Sequence, residues 1–157
     1  MTATAHALVA GAIASSIPNT ATASFLALGS HYIMDCIPHW DFGTNWRHRP
    51  KATTGMLAIA DTLIAFTVAY ILFAGKVGIV TVTIVTVASL LPDWLEAPWY
   101  IFFAHQKKHR PGSRAGALER LAFLVYKVPS AFHTKARFPL GLFTQIATVA
   151  FFWILLK

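Results

Sequence analysis

Thr54 to Ala74 reads TGMLAIADTLIAFTVAYILFA, a run whose single charge is Asp61. About twenty such residues, at ~1.5 Å of rise each, cross the hydrocarbon core of a bilayer as one helix. Val77 to Ala104 extends the pattern with a longer run broken only by Asp93 and Glu96. Phe138 to Leu156 holds no charge and ends in Phe151, Phe152 and Trp153 ahead of Lys157, which puts aromatic rings at interfacial depth. Before these three, Ala3 to Ile17 and Ala21 to Ile37 are each short for a full crossing and are separated by Pro18 and Asn19. They form a hairpin whether they span or re-enter, so its outer ends, near His6 and His39, return to one face.

Composition leads to the same solvent. With 12% charged and 56% hydrophobic residues, the chain has about half the charge of an ordinary water-soluble surface, where about 25% is usual. The expectation is one membrane domain over residues 1–157, an all-α integral membrane bundle of about five transmembrane segments (3–17, 21–37, 54–74, 77–104 and 138–156). Residues 115–128 add an interfacial helix, because Leu118, Leu121, Val125 and Val128 recur at helical spacing with Arg120 and Lys127 off that stripe. A cleavable secretory signal competes for the amino terminus through Ala21-Thr22-Ala23, but the residues before the apolar run carry no lysine or arginine.

Eleven of the thirteen basic residues lie in two connections, Arg47 to Lys51 and Lys107 to Arg137. With five segments, those loops share one side, and Pro18-Asn19, Lys76 and Lys157 share the other. The positive-inside rule then predicts a multi-pass membrane protein with a cytoplasmic amino terminus. A pI near 9.9 invites a nucleic-acid reading, but the basic residues coincide with these loops and no recognition module accompanies them. No nucleic-acid partner is expected. The histidines of the His105 to His109 stretch are expected to meet lipid headgroups.

Five of the six acids lie inside or beside apolar stretches. A carboxylate there is costly unless it meets a cation, a proton or a metal. Under the predicted topology His6, the stretch from His31 to Asp41, Asp61 and Asp93 all reach the cytoplasmic half. His31, Asp35 and His39 follow one another at i, i+4 and i+8, one stripe of a helix, although Pro38 ends or kinks it and turns His39 and Asp41 into a loop. Imidazole with carboxylate suits a divalent metal, Zn or Mn before Fe or Mg. Cys36 is the only cysteine, which excludes a thiolate cluster and any disulfide within the chain. The expected metal ligands are His6, His31, Asp35, His39, Asp41 and Asp61. Asp93, Glu96 and His48 are the candidates for acid or base work, and Arg47, Arg49 and His133 for holding an anionic substrate.

A histidine near the start, Pro38-His39-Trp40-Asp41, His48-Arg49 followed by Thr53-Thr54-Gly55, and a later membrane aspartate together resemble the inner-membrane metal-dependent hydrolase family. Members carry Pro-Asp-x-Asp-His and then His-Arg-Gly-x-Thr-His. Here His39 stands in the first acidic place and the second histidine of the later motif is absent. The spacing of His31 and Asp35, with Pro38-His39 behind, is also similar to the His-x-x-x-Asp ligand segment of zinc-dependent phospholipase C and related nucleases. The first resemblance covers about the amino-terminal two-thirds and the second about nine residues. They imply hydrolysis of a phosphoester or ester at the cytoplasmic face, with membrane lipids as partners and a lipid as a natural substrate. The alternative from the residues alone is a non-enzymatic small membrane subunit or scaffold, in a homo-oligomer or a larger membrane complex, whose histidines and aspartates hydrogen-bond between helices.

Overall fold

The computed structural model describes residues 1–43, 48–104 and 110–156. It is all-helical, with no strand among the described residues: α1 (Ala3–Ser16), α2 (Thr20–Cys36), α3 (Lys51–Val77), α4 (Ile79–Pro98), α5 (Ala117–Phe132) and α6 (Leu140–Leu155), with a π-helical turn, Trp99–Phe103, continuing α4. Two continuous helices, Lys51–Val77 and Ile79–Phe103, are long and apolar enough to cross a membrane, and α1 and α6 are shorter apolar helices.

Local chemistry sets the boundaries. Asn19 caps α2, its side chain accepting from the Thr22 amide at 2.9 Å, which is how the Pro18-Asn19 pair becomes a helix start. Between α3 and α4 stands only Gly78, at φ 84°. A residue with a Cβ is strained there. Pro38 lies just past the end of α2, since residues before a proline leave the α region.

The central helix is α1, which packs on α2, α3, α4 and α6. Ala5, Ala7, Val9, Ala10, Gly11, Ala12, Ile13 and Ala14 are all buried, and small side chains on every face let four neighbours approach closely. At Gly11 an added Cβ would lie 2.1 Å from the buried Phe73 ring. Outward, the molecule is greasy: Phe25, Ile71, Leu118 and Ile154 are each at least 76% exposed.

The bundle has two chemically different ends. Ser16 meets Leu156, and Thr20 meets Thr81, at the end shared by the α1–α2 and α3–α4 turns. The other end collects the start of α1, the end of α2 and the start of α6, where the Trp40 amide donates to the Gly141 carbonyl at 3.1 Å and the Thr2 amide to Gln145 Oε1 at 3.0 Å. The polar side chains converge at this second end. α5 packs Phe123 and Tyr126 on Trp99, leaving Leu118, Leu121, Leu124 and Val128 uncovered. That outward row replaces the expected stripe, because Val125 is half-buried.

Candidate metal centre

Asp35, on the last turn of α2, is 1% exposed, and four imidazoles surround its carboxylate. His6 Nε2 of α1 lies 3.2 Å from Oδ1, His31 Nε2 of α2 lies 3.4 Å from Oδ2, His39 Nε2 lies 3.7 Å from Oδ1 and His133 Nδ1 lies 3.3 Å from Oδ2. The Met1 amino group also reaches Oδ1. Sequence spacing alone explains the approach of His31, one helical turn away. The other three arrive by tertiary structure.

His39 and His133 are brought in by a short extended pairing. Past Pro38 the chain leaves the helix and lies beside residues 134–136: the His39 amide donates to the Thr134 carbonyl at 3.1 Å, and the Ala136 amide to the His39 carbonyl at 2.8 Å. The Thr134 amide donates to the Asp35 carbonyl at 2.9 Å. Both rings are then oriented by their far nitrogens. His39 Nδ1 lies 2.8 Å from the Ile37 carbonyl, and His133 Nε2 lies 2.8 Å from Asp41 Oδ2. A carbonyl and a carboxylate only accept, so these nitrogens are assigned as N–H donors. His133 Nδ1 is left with a lone pair facing Asp35, and His39 Nε2 with one that lies 2.9 Å from His133 Nε2 and 3.7 Å from Asp35. Lone pairs directed at a carboxylate repel it unless a cation lies between, and a ring held by an outer acceptor is the arrangement that metal-binding histidines adopt.

Asp41 therefore stands behind His133. Burial works against its carboxylate, but the hydrogen bond from His133, the adjacent His39 ring and the nearby Lys135, 3.4 Å away, hold its pKa below the ordinary carboxylate range. Burial lowers the pKa of His133, with Asp41 and Asp35 opposing it only in part. The ring is neutral near pH 7, the form that ligates.

His6 and His31 form the other half. Their rings stack at 4.0 Å between centroids and both are fully buried. Neither ring has a nitrogen in hydrogen-bonding geometry with a described residue, and buried polar atoms without partners are rare. Asp93 Oδ1 of α4 lies 3.7 Å from His31 Nε2. Two groups of His and Asp thus have the geometry to hold a metal ion, His6 with His31 and Asp93, and Asp35 with His39 and His133, the ligand atoms of each lying within 4.8 Å of one another.

Of the six expected ligands, His6, His31, Asp35 and His39 fall in these groups, and Asp41 stands behind one of them. Asp61 does not join them. Both its oxygens serve the first turn of α1, accepting from the Ala3 amide at 2.7 Å, the Thr4 amide at 3.3 Å and the Thr4 hydroxyl at 2.8 Å. A carboxylate at a helix start meets free N–H groups and the positive end of the dipole, which removes the need for a metal. His133, expected to hold substrate, lies inside the cluster. Glu96 is buried on α4 with Tyr100 bonded to it. His48 is exposed and Arg49 donates to the Phe42 carbonyl, so both stay outside the two groups. Arg47, His105 and His109 lie outside the described residues. The place of His133 and the close approach at Gly141 had no signal in the sequence, because both depend on which chain segments pair.

The centre is closed on most sides. His6, His31 and His39 are fully buried, whereas the side chains of Asp93, His133 and Lys135 are 30%, 14% and 38% exposed. Access runs past those three. No family model, curated protein or solved structure matches the chain.

Proposed function

We propose that the chain is a multi-pass inner-membrane, metal-dependent hydrolase of a phosphoester or ester, a lipid being the natural substrate, with zinc or manganese as its metal and its centre at the cytoplasmic face. This reading places it with the inner-membrane metal-dependent hydrolases that its motifs resemble. The observation that carries it is the set of four imidazoles converging on one buried carboxylate, with two of the rings left without hydrogen bonds to any described residue. Membrane insertion is supported by the low burial of the two candidate spans, Lys51–Val77 and Ile79–Phe103, only 22% and 39% in their most apolar windows, and the remaining three segments are proposed from the sequence. Core helices of a water-soluble protein would be mostly covered.

A divalent cation in such a site lowers the pKa of water toward neutrality and offsets charge on a phosphoester in the transition state. The chain's own groups divide the remaining work. His6, His31, Asp35, His39 and His133 would hold the cation, and the Ile37 carbonyl and Asp41 fix the orientations of the His39 and His133 rings. Asp93, whose half-buried side chain is 30% exposed, would complete the His6 and His31 group and serve at the centre as acid or base where it is not a ligand. Lys135 at the mouth, helped by Arg49, attracts an anionic substrate. A lipid is supported by an open apolar groove of about 300 Å³ lined by Ile37, Thr144, Ala147, Thr148 and Phe151, one residue of which lies two positions from His39.

Elemental analysis of the detergent-purified chain, followed by hydrolysis assays on soluble phosphoesters and phospholipids, tests the reading. Bound zinc or manganese with turnover lost in Asp93→Asn is the expected result. Metal-free wild type, inactive on every substrate offered, would overturn it. The near-complete burial of the rings favours a second reading, a non-enzymatic membrane subunit in which the cluster is structural, and metal-bound but inactive protein would support that one.

A further inference from the structure

Resting on the metal-centre reading, we infer that this chain holds two cations, one at His6, His31 and Asp93 and the other at Asp35, His39 and His133, with the Asp35 carboxylate between them. Each triad is two imidazoles and one carboxylate, a set that binds zinc, manganese or iron and leaves coordination positions open. The triads share no residue, yet they adjoin. Asp35 Oδ1 lies 3.2 Å from His6 and 3.7 Å from His39, and Oδ2 lies 3.4 Å from His31 and 3.3 Å from His133. Each oxygen therefore faces one ring of either triad, the position of a carboxylate shared by two ions.

The two halves are independently in need of a cation. His133 aims the Nδ1 lone pair at Asp35 because its other nitrogen is committed to Asp41, and His39 Nε2, its Nδ1 committed to Ile37, lies 2.9 Å from His133 Nε2 and 3.7 Å from Asp35. His6 and His31 are fully buried and stacked, without a hydrogen bond to any described residue. A single ion bound by the lower triad leaves the upper pair orphaned, and a single ion in the upper triad leaves the His133 lone pair facing a carboxylate. Paired cations also narrow the substrate class. They stabilise both the attacking and the leaving oxygen of an in-line displacement, the chemistry of phosphoester cleavage.

The test is stoichiometry and magnetic coupling on the full-length, detergent-purified chain, loaded with Zn(II) or Mn(II). Two equivalents of zinc per chain are expected, falling to one in His31→Ala and to one in His133→Ala while helical circular dichroism is retained. The Mn(II)-loaded wild type should give the electron paramagnetic resonance of a spin-coupled pair, a readout that needs no variant and no turnover. One equivalent in the wild type with an uncoupled Mn(II) signal would overturn the paired site yet leave a one-metal hydrolase standing. A wild type that binds neither ion would overturn the metal centre itself, and with it the pair.

Discussion

At the scale of single residues the two peripheral aspartates separate positioning from helix capping. Asp41 holds the His133 ring at 2.8 Å and lies 3.6 Å from His39 Nε2. Asp41→Asn is therefore expected to weaken zinc affinity by about 10 to 100-fold, the usual effect of removing an outer partner, and His133→Ala to weaken it further. Titration of each detergent-purified variant with a competing chelator measures both. Asp61 behaves oppositely. Asp61→Ala strands two amides and a hydroxyl at the start of α1, which should cost about 1 to 3 kcal/mol of stability with zinc content unchanged. A lower thermal midpoint at wild-type metal content is the expected result, and metal loss with an unchanged midpoint would return Asp61 to the ligand set. Affinity also carries a pH sign. Because the pKa of His133 lies below the ordinary 6.5, protons compete with the metal only on the acid side of that value, and zinc retention should be flat from pH 7 to 8 and lost only at pH below the ordinary imidazole value.

At the scale of elements, what the sequence disclosed depends on range. The apolar runs, the Pro18-Asn19 turn and the stop at Pro38 were legible because each is a local property of the chain. The facing of His31 and Asp35 was legible for the same reason, being one helical turn. The pairing of residues 39 and 134–136 was not. It joins segments about a hundred positions apart through backbone hydrogen bonds, and backbone groups leave no signature in side-chain pattern. The same holds for Gly141, where an added Cβ would stand 2.5 Å from the Trp40 amide nitrogen and 2.8 Å from the His39 carbonyl carbon. Gly141→Ala must push α6 and the His39 loop apart, at the ~1 to 3 kcal/mol typical of overpacking, and it should lower zinc affinity although Gly141 is no ligand and lies on α6, beyond His133. Gly29→Ala is the control, since nothing lies within 4 Å of its Cβ. It should keep wild-type metal content and gain slightly in stability from better helix propensity. Equal metal affinity in both variants would show that α6 does not set the position of His39.

At the scale of the whole molecule, the end that gathers the polar cluster is also the end that gathers the charge. Lys135 reaches Asp41, Lys51 Nζ reaches the Ile101 carbonyl at 3.0 Å, and the opposite end offers Lys76 beside Phe73 among the described basic residues. If the bundle is inserted by the positive-inside rule, the centre therefore faces the cytoplasm. Thiol labelling decides this once the exposed native Cys36 is replaced by serine. In that background, a cysteine introduced as Lys76→Cys should react in spheroplasts with a membrane-impermeant maleimide added outside, and one introduced as Ser113→Cys should react only after the membrane is opened. The reverse pattern would put the centre outside the cell, and labelling of both positions from one side would require an even number of crossings between them. The outcome also limits the chemistry, because a centre facing the cytoplasm meets phosphorylated substrates made there and takes its metal from a buffered pool. Only a site with the tight, closed donor set described for Asp35 and its four imidazoles would retain zinc against that competition.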